Sequence, residues 1–287
     1  MLLLYGPSKE HVQEYCLRWQ TFCGLSDGMI NMTDSDITGS KKPLTKEMTF
    51  VVNSNSGEAL ATIRAPADGL TAAVIQKIVS GKEYRRFPQH FPEPMVVIDV
   101  GANAGAAIVF FNLKFPQAKI YGFEPSPEIW AYLKNNTRNY PNIDVYPFGL
   151  LAKDGSANFY PGIRSTVESS VIPHAGTVSQ PVEAHFRQAS TVFKELSIEH
   201  ISILKIDTEG AEVEILTDLQ SWLPKTELIF IEFHSEEDRL AIDQLLTPFF
   251  ILFDFSMDCC HRGLMTYLSK RKTREMSSIE RSRISRS

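Results

Sequence analysis

The stretch from Pro94 to Pro125 constrains the fold more than any other part of the 287-residue chain. An apolar, β-branched run ends in Asp99, a helical pattern follows, and a second apolar run ends in Glu124. The loop after the first run consists of small residues: Gly101, Ala102, Asn103, Ala104 and Gly105. This succession predicts a strand, a tight loop, a helix and a second strand.

The loop and the two acids predict a nucleoside site at the carboxyl end of a parallel sheet. Gly101 and Gly105 permit close backbone approach, and Glu124 stands where an acid accepts the hydroxyls of a ribose. Asn103 replaces the middle glycine of a phosphate-binding loop, and Asp99 would repel a pyrophosphate but favour a cation. S-adenosylmethionine (SAM) has two cationic groups, a ribose and no phosphate, so the pattern favours it over NAD. The alternative is an ordinary strand-turn-helix with two solvated acids.

Composition limits the classes that remain. With 43% hydrophobic residues, the chain can bury a large core, and its length predicts one large domain with an appendage. No stretch of apolar residues is long enough to span a membrane, so we expect a cytoplasmic protein. The net charge of -5 argues against nucleic-acid binding. The cysteines fit neither a zinc site nor a disulfide framework, and reduced thiols are expected: Cys16, Cys23, Cys259 and Cys260.

Residues 1–88 are predicted to form an N-terminal appendage. Helical spacing over Ser8–Cys23 gives one apolar face, which packs on the main domain, joins two copies in a homodimer or covers the substrate. Thr49–Val52 and Ala59–Arg64 read as a hairpin with a long polar turn, and Leu70–Val79 as a helix. The short charged stretch that follows is interpreted as a solvated linker rather than a site edge: Tyr84, Arg85 and Arg86.

Residues 89–269 are predicted to form the cofactor-binding domain. Ile143–Phe148 reads as its third strand, and Phe148–Leu150 would then border an adenine. The irregular stretch Asp154–Gln188, with short strand candidates at Asn158–Tyr160 and Ser170–Ile172, is predicted to shape the acceptor pocket. Its basic residues are interpreted as surface residues rather than substrate contacts: Arg164, His174, His185 and Arg187.

Two further apolar runs end in polar residues. Ile201–Ile206 is followed by Asp207 and Glu209, and Leu228–Ile231 by Glu232 and His234. An antiparallel pair is predicted to finish the sheet: Phe249–Phe255 and Leu264–Leu268. Residues 270–287 are basic and nearly free of apolar side chains, so we expect a disordered tail that is solvated or touches an anionic surface.

The chain from about Tyr84 to Lys270 resembles the FkbM-type SAM-dependent methyltransferase family. The matching blocks are Ile98 to Gly105, Phe123 to Pro125, Asn135, Asn139, Asp154 with Gly155, Ser170, Leu204 to Glu212, and Glu232 to His234. One departure is Ser190–Leu196, where such proteins often show a Leu-Asp pair and this chain has Val192, Phe193 and Lys194.

The resemblance implies an α/β, doubly wound, Rossmann-like class I methyltransferase sheet of seven strands, with SAM across the first two strand ends. It also implies O-methylation of a sugar or another small hydroxylated metabolite, such as a glycolipid or polyketide. The expected cofactor-binding residues are Asp99, Gly101, Ala102, Asn103, Gly105, Glu124, Pro125, Phe148, Gly149 and Asp207.

For catalysis we expect in-line methyl transfer to an acceptor oxygen that loses its proton to a base. His234 is the predicted base because an unperturbed imidazole titrates near neutral pH, and Asp207 or Glu209 would orient the acceptor or the base. Residues two apart on a strand share a face, so Glu232 would lie beside His234 and Lys205 beside Asp207. The alternative for His234 is a structural histidine bonded to a carbonyl.

Other interpretations stay open at this point. The same four residues, Asp207, Glu209, Glu232 and His234, have the chemistry to hold a divalent metal ion, although no spacing signature enforces it and no metal is expected. An NAD(P)-dependent reductase is disfavoured by Asp99 and the missing glycine. A non-catalytic SAM-fold protein that uses its ends for assembly is disfavoured by the acids at the strand ends.

Overall fold

The computed structural model of the chain describes residues 45–54, 57–88, 91–162, 169, 177 and 180–275. Several predictions lie outside these residues: the helix over Ser8–Cys23, the strand over Ser170–Ile172, the surface positions of Arg164 and His174, and the tail beyond residue 275.

Twelve strands and six complete α-helices lie within the described residues. The strands are β1 (Thr45–Ser54), β2 (Gly57–Pro66), β3 (Val96–Val100), β4 (Lys119–Phe123), β5 (Ile143–Tyr146), β6 (Gly149–Leu151), β7 (Gly155–Phe159), β8 (Val182–Gln188), β9 (Ile201–Ile206), β10 (Thr226–Phe233), β11 (Phe250–Cys259) and β12 (Arg262–Ser269). The helices are α1 (Gly69–Val79), α2 (Ala106–Lys114), α3 (Pro127–Thr137), α4 (Ala189–Glu195), α5 (Glu212–Asp218) and α6 (Glu236–Leu246).

Seven strands form the central sheet, in the order β11-β12-β10-β9-β3-β4-β5. The pairs β10/β9, β9/β3, β3/β4 and β4/β5 are parallel, whereas β12 runs antiparallel to both of its neighbours. The prediction of a seven-stranded sheet that ends in an antiparallel hairpin is confirmed. Strand order reverses between β3 and β9, so the carboxyl ends of these strands flank a crevice where ligands bind in such folds.

Apolar layers cover both faces of this sheet, which confirms the doubly wound arrangement. On one face α1 and α2 pack over the strands, with Ile75, Ile108 and Phe230 in the core. On the other face α4, α5 and α6 do so, with Phe193 and Ile231 in the core. Because central parallel strands are buried from both sides, they read as continuous apolar runs in the sequence.

The appendage differs from its prediction in two respects. The hairpin strands β1 and β2 are longer than expected, and their register brings Ser54 opposite Gly57, so the turn is short. Tyr84 is not solvated but only 4% exposed, because its ring packs at 5.0 Å from the rings of both Phe111 and Phe230. Tyr84 is therefore part of the core, whereas Arg85 and Arg86 are exposed, as predicted.

A second, three-stranded sheet has the order β6-β8-β7. Strand β8 was not predicted, because only Ala184 and Phe186 of its residues point into an apolar cluster. Two of its polar side chains lie on the surface, as predicted: His185 contacts Ser156, and Arg187 pairs with Glu195 at 2.7 Å.

Residues 270–275 are helical, so the beginning of the segment expected to be disordered is ordered. Lys272 lies 3.1 Å from the buried Glu227, which ties this turn to β10. Among the described residues, no helix is long and apolar enough to cross a membrane.

Candidate active site

The glycine loop is held between β4 and β9. The amides of Gly101 and Ala102 donate to the carbonyl of Phe123 at 3.1 and 3.0 Å. Gly101 has a φ of +81°, and a Cβ at this position would lie 1.8 Å from the carbonyl oxygen of Asp207. Both the backbone conformation and the close contact exclude any residue with a side chain.

Glu124 fixes the other side of the loop. Its carboxylate accepts the amide of Asn103 at 2.8 Å and the amide of Ser126 at 2.8 Å. Burial raises the pKa of Glu124 to about 7, although these two backbone donors act in the opposite direction. The side chain also lines the main cavity, where its remaining lone pairs suit a ligand with adjacent hydroxyl groups.

The main cavity has a volume of about 770 Å³. Its walls are the glycine loop, the carboxyl ends of β9 and β10, the start of β6, one face of α1, and the start of β12. Of the residues expected to bind cofactor or act in catalysis, those that line it are Gly101, Ala102, Asn103, Glu124, Pro125, Gly149, Asp207, Glu209 and Glu232. Asp99, Gly105, Phe148 and His234 lie outside it.

Asp99 is fully buried behind the loop rather than exposed to a ligand. Its carboxylate lies 2.9 Å from Nζ of Lys205, which also donates to the carbonyl of Gly101 at 2.6 Å. Lys205 also pairs with Asp207, as predicted, at the longer distance of 3.4 Å. Asp99 therefore pairs with a buried lysine that supports the loop from behind, and its side chain does not line the cavity.

Gly105 and Phe148, which were also expected to bind the cofactor, pack behind the cavity wall. Gly105 is the N-cap of α2, with a φ of +87°, and a Cβ there would lie 2.9 Å from Leu133. Phe148 packs against Phe123 and Tyr146 with ring centroids 5.7 and 5.5 Å apart. Both residues shape the cavity from outside its wall.

His234 does not have the environment of a general base. Its Nε2 lies 3.2 Å from carboxylate oxygens of both Glu209 and Glu232, and its Nδ1 lies 3.6 Å from Glu212. Burial alone would lower the pKa of His234, but the charge of Glu209 and contacts with all three carboxylates raise it well above the ordinary value. This direction favours the charged imidazolium, and both ring nitrogens face carboxylates rather than the cavity. Sequence spacing did not reveal these three carboxylates.

Glu232 has the position in the cavity and the pKa near neutrality that were expected of His234. It lines the cavity at the end of β10, and burial followed by the charge of Asp207 raises its pKa to about 7. His234 and Arg262 oppose this shift without cancelling it. A carboxylate that is partly ionised at neutral pH is suited to proton transfer.

Donor atoms of Asp207, Glu209, Glu232 and His234 all lie within 4.8 Å of one another. The guanidinium of Arg262 already contacts Glu209 and lies 3.7 Å from Glu232, and the imidazolium of His234 contacts the same carboxylates. These two cations offset part of the negative charge of the cluster.

The family profile of the methyltransferase FkbM domain matches residues 99–256, over half of the chain. The chain belongs to the FkbM methyltransferase family. The matched segment begins at Asp99 and includes the glycine loop, Glu124, and the ends of β9 and β10.

Curated relatives of this FkbM-family chain are distant. The AMB antimetabolite synthetase AmbE of Pseudomonas aeruginosa is 27% identical over 58% of the chain and 10% of its own length. The hexuronic acid methyltransferase AglP of Haloferax volcanii is 27% identical over 54% of the chain and 62% of its own length. The 31-O-demethyl-FK506 methyltransferase FkbM of Streptomyces tacrolimicus is 24% identical over 64% of the chain and 85% of its own length. The chain thus spans a tenth of the length of AmbE and under two thirds of the length of AglP.

Among solved structures, fibrillarin of Aeropyrum pernix with bound SAM covers 77% of the chain and 82% of its own length, at 13% identity and a TM-score of 0.42. This likeness is too low to support any assignment.

SAM is the methyl donor of the FkbM family, and the cavity fits it. Glu124 offers carboxylate oxygens for a ribose diol, and Gly149, Leu150 and Phe186 give an apolar wall for a base. The charge that favours a cationic ligand comes from Asp207 in the cavity wall rather than from Asp99 behind it.

Several cavity residues of this FkbM-family chain were not predicted as site residues. Lys77 on α1 contacts Glu83 and Asp258, each at 2.7 Å, and Glu83 and Asp258 also line the cavity with Arg262. All four of these residues lie outside the matched segment 99–256, and they come from the appendage and the β11–β12 hairpin. No spacing in the sequence connects them, because only the fold brings these segments together.

Proposed function

We propose that this chain transfers the methyl group of SAM to a hydroxyl oxygen of a sugar or another small hydroxylated metabolite, with Glu232 as the general base. One observation supports this most strongly: a cavity-lining carboxylate next to the cofactor loop whose pKa is raised to about 7 by burial and by Asp207. Such a group is partly ionised at neutral pH and still basic enough to accept a proton.

SAM supplies an electrophilic methyl carbon when it is bound. Glu232 accepts the proton of the acceptor hydroxyl, and Asp207 keeps Glu232 basic through charge repulsion. The guanidinium of Arg262 lies 3.7 Å from Glu232 and stabilises the ionised carboxylate, which limits the effect of Asp207. His234 is protonated and holds Glu209 and Glu232 in place, which makes it a positioning residue.

The acceptor end of the cavity supports a hydroxylated ligand. Its lining includes Glu83, Asp258 and Arg262. Lys77 pairs with both Glu83 and Asp258, and Arg262 pairs with Glu209. This end of the cavity therefore offers both hydrogen-bond donors and acceptors. Vicinal hydroxyls are recognised by such mixed sets. Two relatives are named for a hexuronic acid and for 31-O-demethyl-FK506, which supports the same class of acceptor.

The volume of the main cavity, about 770 Å³, and the net charge of -5 support a small-molecule acceptor over a nucleic acid. A homodimer stays a prediction.

A transfer screen tests the proposal. Tritium-labelled SAM is incubated with the chain and with sugars, glycolipids and polyketide hydroxyls, and calorimetry measures the binding of SAM and its demethylated product. We expect binding of both nucleosides and label in at least one hydroxylated acceptor. A protein that binds neither nucleoside, or that labels only amines, would contradict the proposal.

A further inference from the structure

Glu212 is a buried carboxylate that has no part in the proton and methyl transfers described above. It lies in the first turn of α5, is 1% exposed and does not line the main cavity. The helix dipole favours an acid in this turn but does not require its burial, since Glu214 lies in the same turn and is exposed. Because a buried carboxylate is costly unless hydrogen bonds and a cation stabilise it, the position of Glu212 needs a reason beyond helix stability.

The carboxylate of Glu212 holds the turn that joins β9 to α5. One oxygen accepts the amide of Thr208 at 2.8 Å and the hydroxyl of Thr208 at 3.0 Å. The amide of Gly210 donates to the other oxygen at 3.0 Å. Hydrogen bonds from backbone amides to an ionised carboxylate are stronger than neutral ones, so Glu212 fixes the backbone of this turn.

The turn has a backbone conformation that needs such support. Glu209 has a φ of +57° and Gly210 a φ of +121°. The left-handed region is unfavourable for a residue with a Cβ, and glycine removes this cost only at the second of the two positions. The strained residue is therefore Glu209, whose carboxylate contacts His234 and Arg262. Strain of this kind persists where surrounding contacts determine the conformation.

The same carboxylate also faces the end of β10. It lies 3.6 Å from Nδ1 of His234, whose Nε2 lies 3.2 Å from both Glu209 and Glu232. Burial alone would raise the pKa of Glu212, but contact with His234, the charge of His234 and the amide of Thr208 lower it to about 2. Glu212 is thus ionised at neutral pH, and it connects the turn after β9 to the residue that contacts Glu232.

We propose that Glu212 is a positioning residue for methyl transfer, which fixes Asp207 and Glu209 through the turn, and Glu232 through His234. This inference rests on the proposed function, in which Asp207 faces the cationic cofactor and Glu232 accepts the proton. Glu212 acts through these neighbours because it lies behind the cavity wall. A small displacement of a reacting group lowers the rate even when the fold persists.

Steady-state kinetics of Glu212→Gln test the proposal. Gln has nearly the same shape, but it carries no charge and its single carbonyl oxygen cannot replace both carboxylate oxygens. Rates are measured at saturating SAM, well below the melting temperature, and are divided by the concentration of SAM-binding sites from calorimetry. We expect kcat per site to fall at least ~10-fold. The matched control is Glu214→Gln, which removes the exposed acid of the same helical turn and should keep full kcat.

Thr208→Val tests the same contact if Glu212→Gln does not fold. It removes the hydroxyl that donates to Glu212 and keeps a branched side chain of similar size. We expect kcat per site to fall at least ~3-fold, as loss of one hydrogen bond to a charged group does. Thr208→Ser keeps the hydroxyl and should keep most of the activity.

A spectroscopic measurement separates this inference from the proposed function. In protein with ¹⁵N-labelled histidine, Glu212→Gln should shift the Nδ1 resonance of His234 more than the Nε2 resonance, because Nδ1 faces Glu212. If the chain binds no SAM and transfers no methyl group, the proposed function fails, whereas a shifted Nδ1 resonance would still support the hold of Glu212 on His234. The inference is overturned if Glu212→Gln only lowers the melting temperature and keeps the kcat of Glu214→Gln, or if the ring resonances of His234 do not move.

Discussion

A carboxylate acts best as a base when a useful fraction of it is ionised at the working pH, and Glu232 meets this condition through its neighbours. Burial and Asp207 raise its pKa to about 7, while His234 and Arg262 prevent a larger shift. The histidine beside it is locked into an ion-pair cluster. The pair Glu232 and His234 was predicted to share a face, and the 3.2 Å contact confirms it, but the residue that lines the cavity is Glu232 rather than His234.

The first prediction concerns Glu232 as the base. Glu232→Gln should lower kcat at least ~100-fold because the amide cannot accept the proton. In the wild type, kcat/KM should rise with pH through about 7, because only the ionised carboxylate is active. The pH profile and single-turnover rates measure this. Glu237→Gln, an exposed carboxylate on α6, is the control and should keep full activity; a flat profile would remove Glu232 from the mechanism.

The second prediction concerns Gly101. Gly101→Ala would place a methyl group 1.8 Å from the carbonyl of Asp207 at a φ of +81°. We expect a loss of more than about 2 kcal/mol of stability and loss of SAM binding. Thermal melts and calorimetry give both values. Gly155→Ala is the matched control, because no atom lies within 4 Å of its added Cβ. If the two changes have equal effects, the close contact between Gly101 and the carbonyl of Asp207 does not determine stability or SAM binding.

At the scale of elements, strands buried on both faces could be predicted from the sequence, whereas β6 and β8 of the small sheet could not. The candidate strand Asn158–Tyr160 overlaps β7, the third strand of that sheet. β3, β4, β9 and β10 appear as apolar runs because both faces meet helices. In β8, Ala184 and Phe186 alternate with exposed polar residues, and a seven-residue strand with two apolar positions does not stand out from a loop. The burial of Tyr84 was missed for a related reason, since the two arginines that follow it are solvent-exposed.

The third prediction concerns the pair that joins β3 to β9. Lys205→Met leaves Asp99 buried without its cation, and we expect a loss of about 3–5 kcal/mol in unfolding free energy. Adding Asp99→Asn should recover part of this loss, because a neutral amide is cheaper to bury than an unpaired charge. Urea denaturation of the single and double variants measures the coupling. Strictly additive effects would contradict the pairing.

At the scale of the whole molecule, the cavity has two halves, and only one of them could be predicted largely from the sequence. The cofactor half comes largely from one contiguous unit, where the glycine loop and Glu124 lie close in sequence. The other half, where we propose that the acceptor binds, is assembled from α1, the segment before β3, and the β11–β12 hairpin. Its residues carry no local pattern, since packing of the appendage against the sheet determines their positions.

The last prediction concerns the clasp formed by Lys77, which joins α1 to Glu83 and to Asp258 of the β11–β12 hairpin. Lys77→Met leaves two acids facing each other, one of them the largely buried Glu83, so the contact between α1 and the hairpin should loosen by about 1–3 kcal/mol. Amide exchange in α1 should then accelerate at least ~5-fold, and SAM should dissociate faster. Adding Glu83→Gln should restore slow exchange in part, whereas Lys82→Met, which removes an exposed lysine nearby, should change neither rate. If exchange in α1 is unaffected by Lys77→Met, the helix is held by its apolar face alone, and the ion pairs serve only to shape the acceptor end.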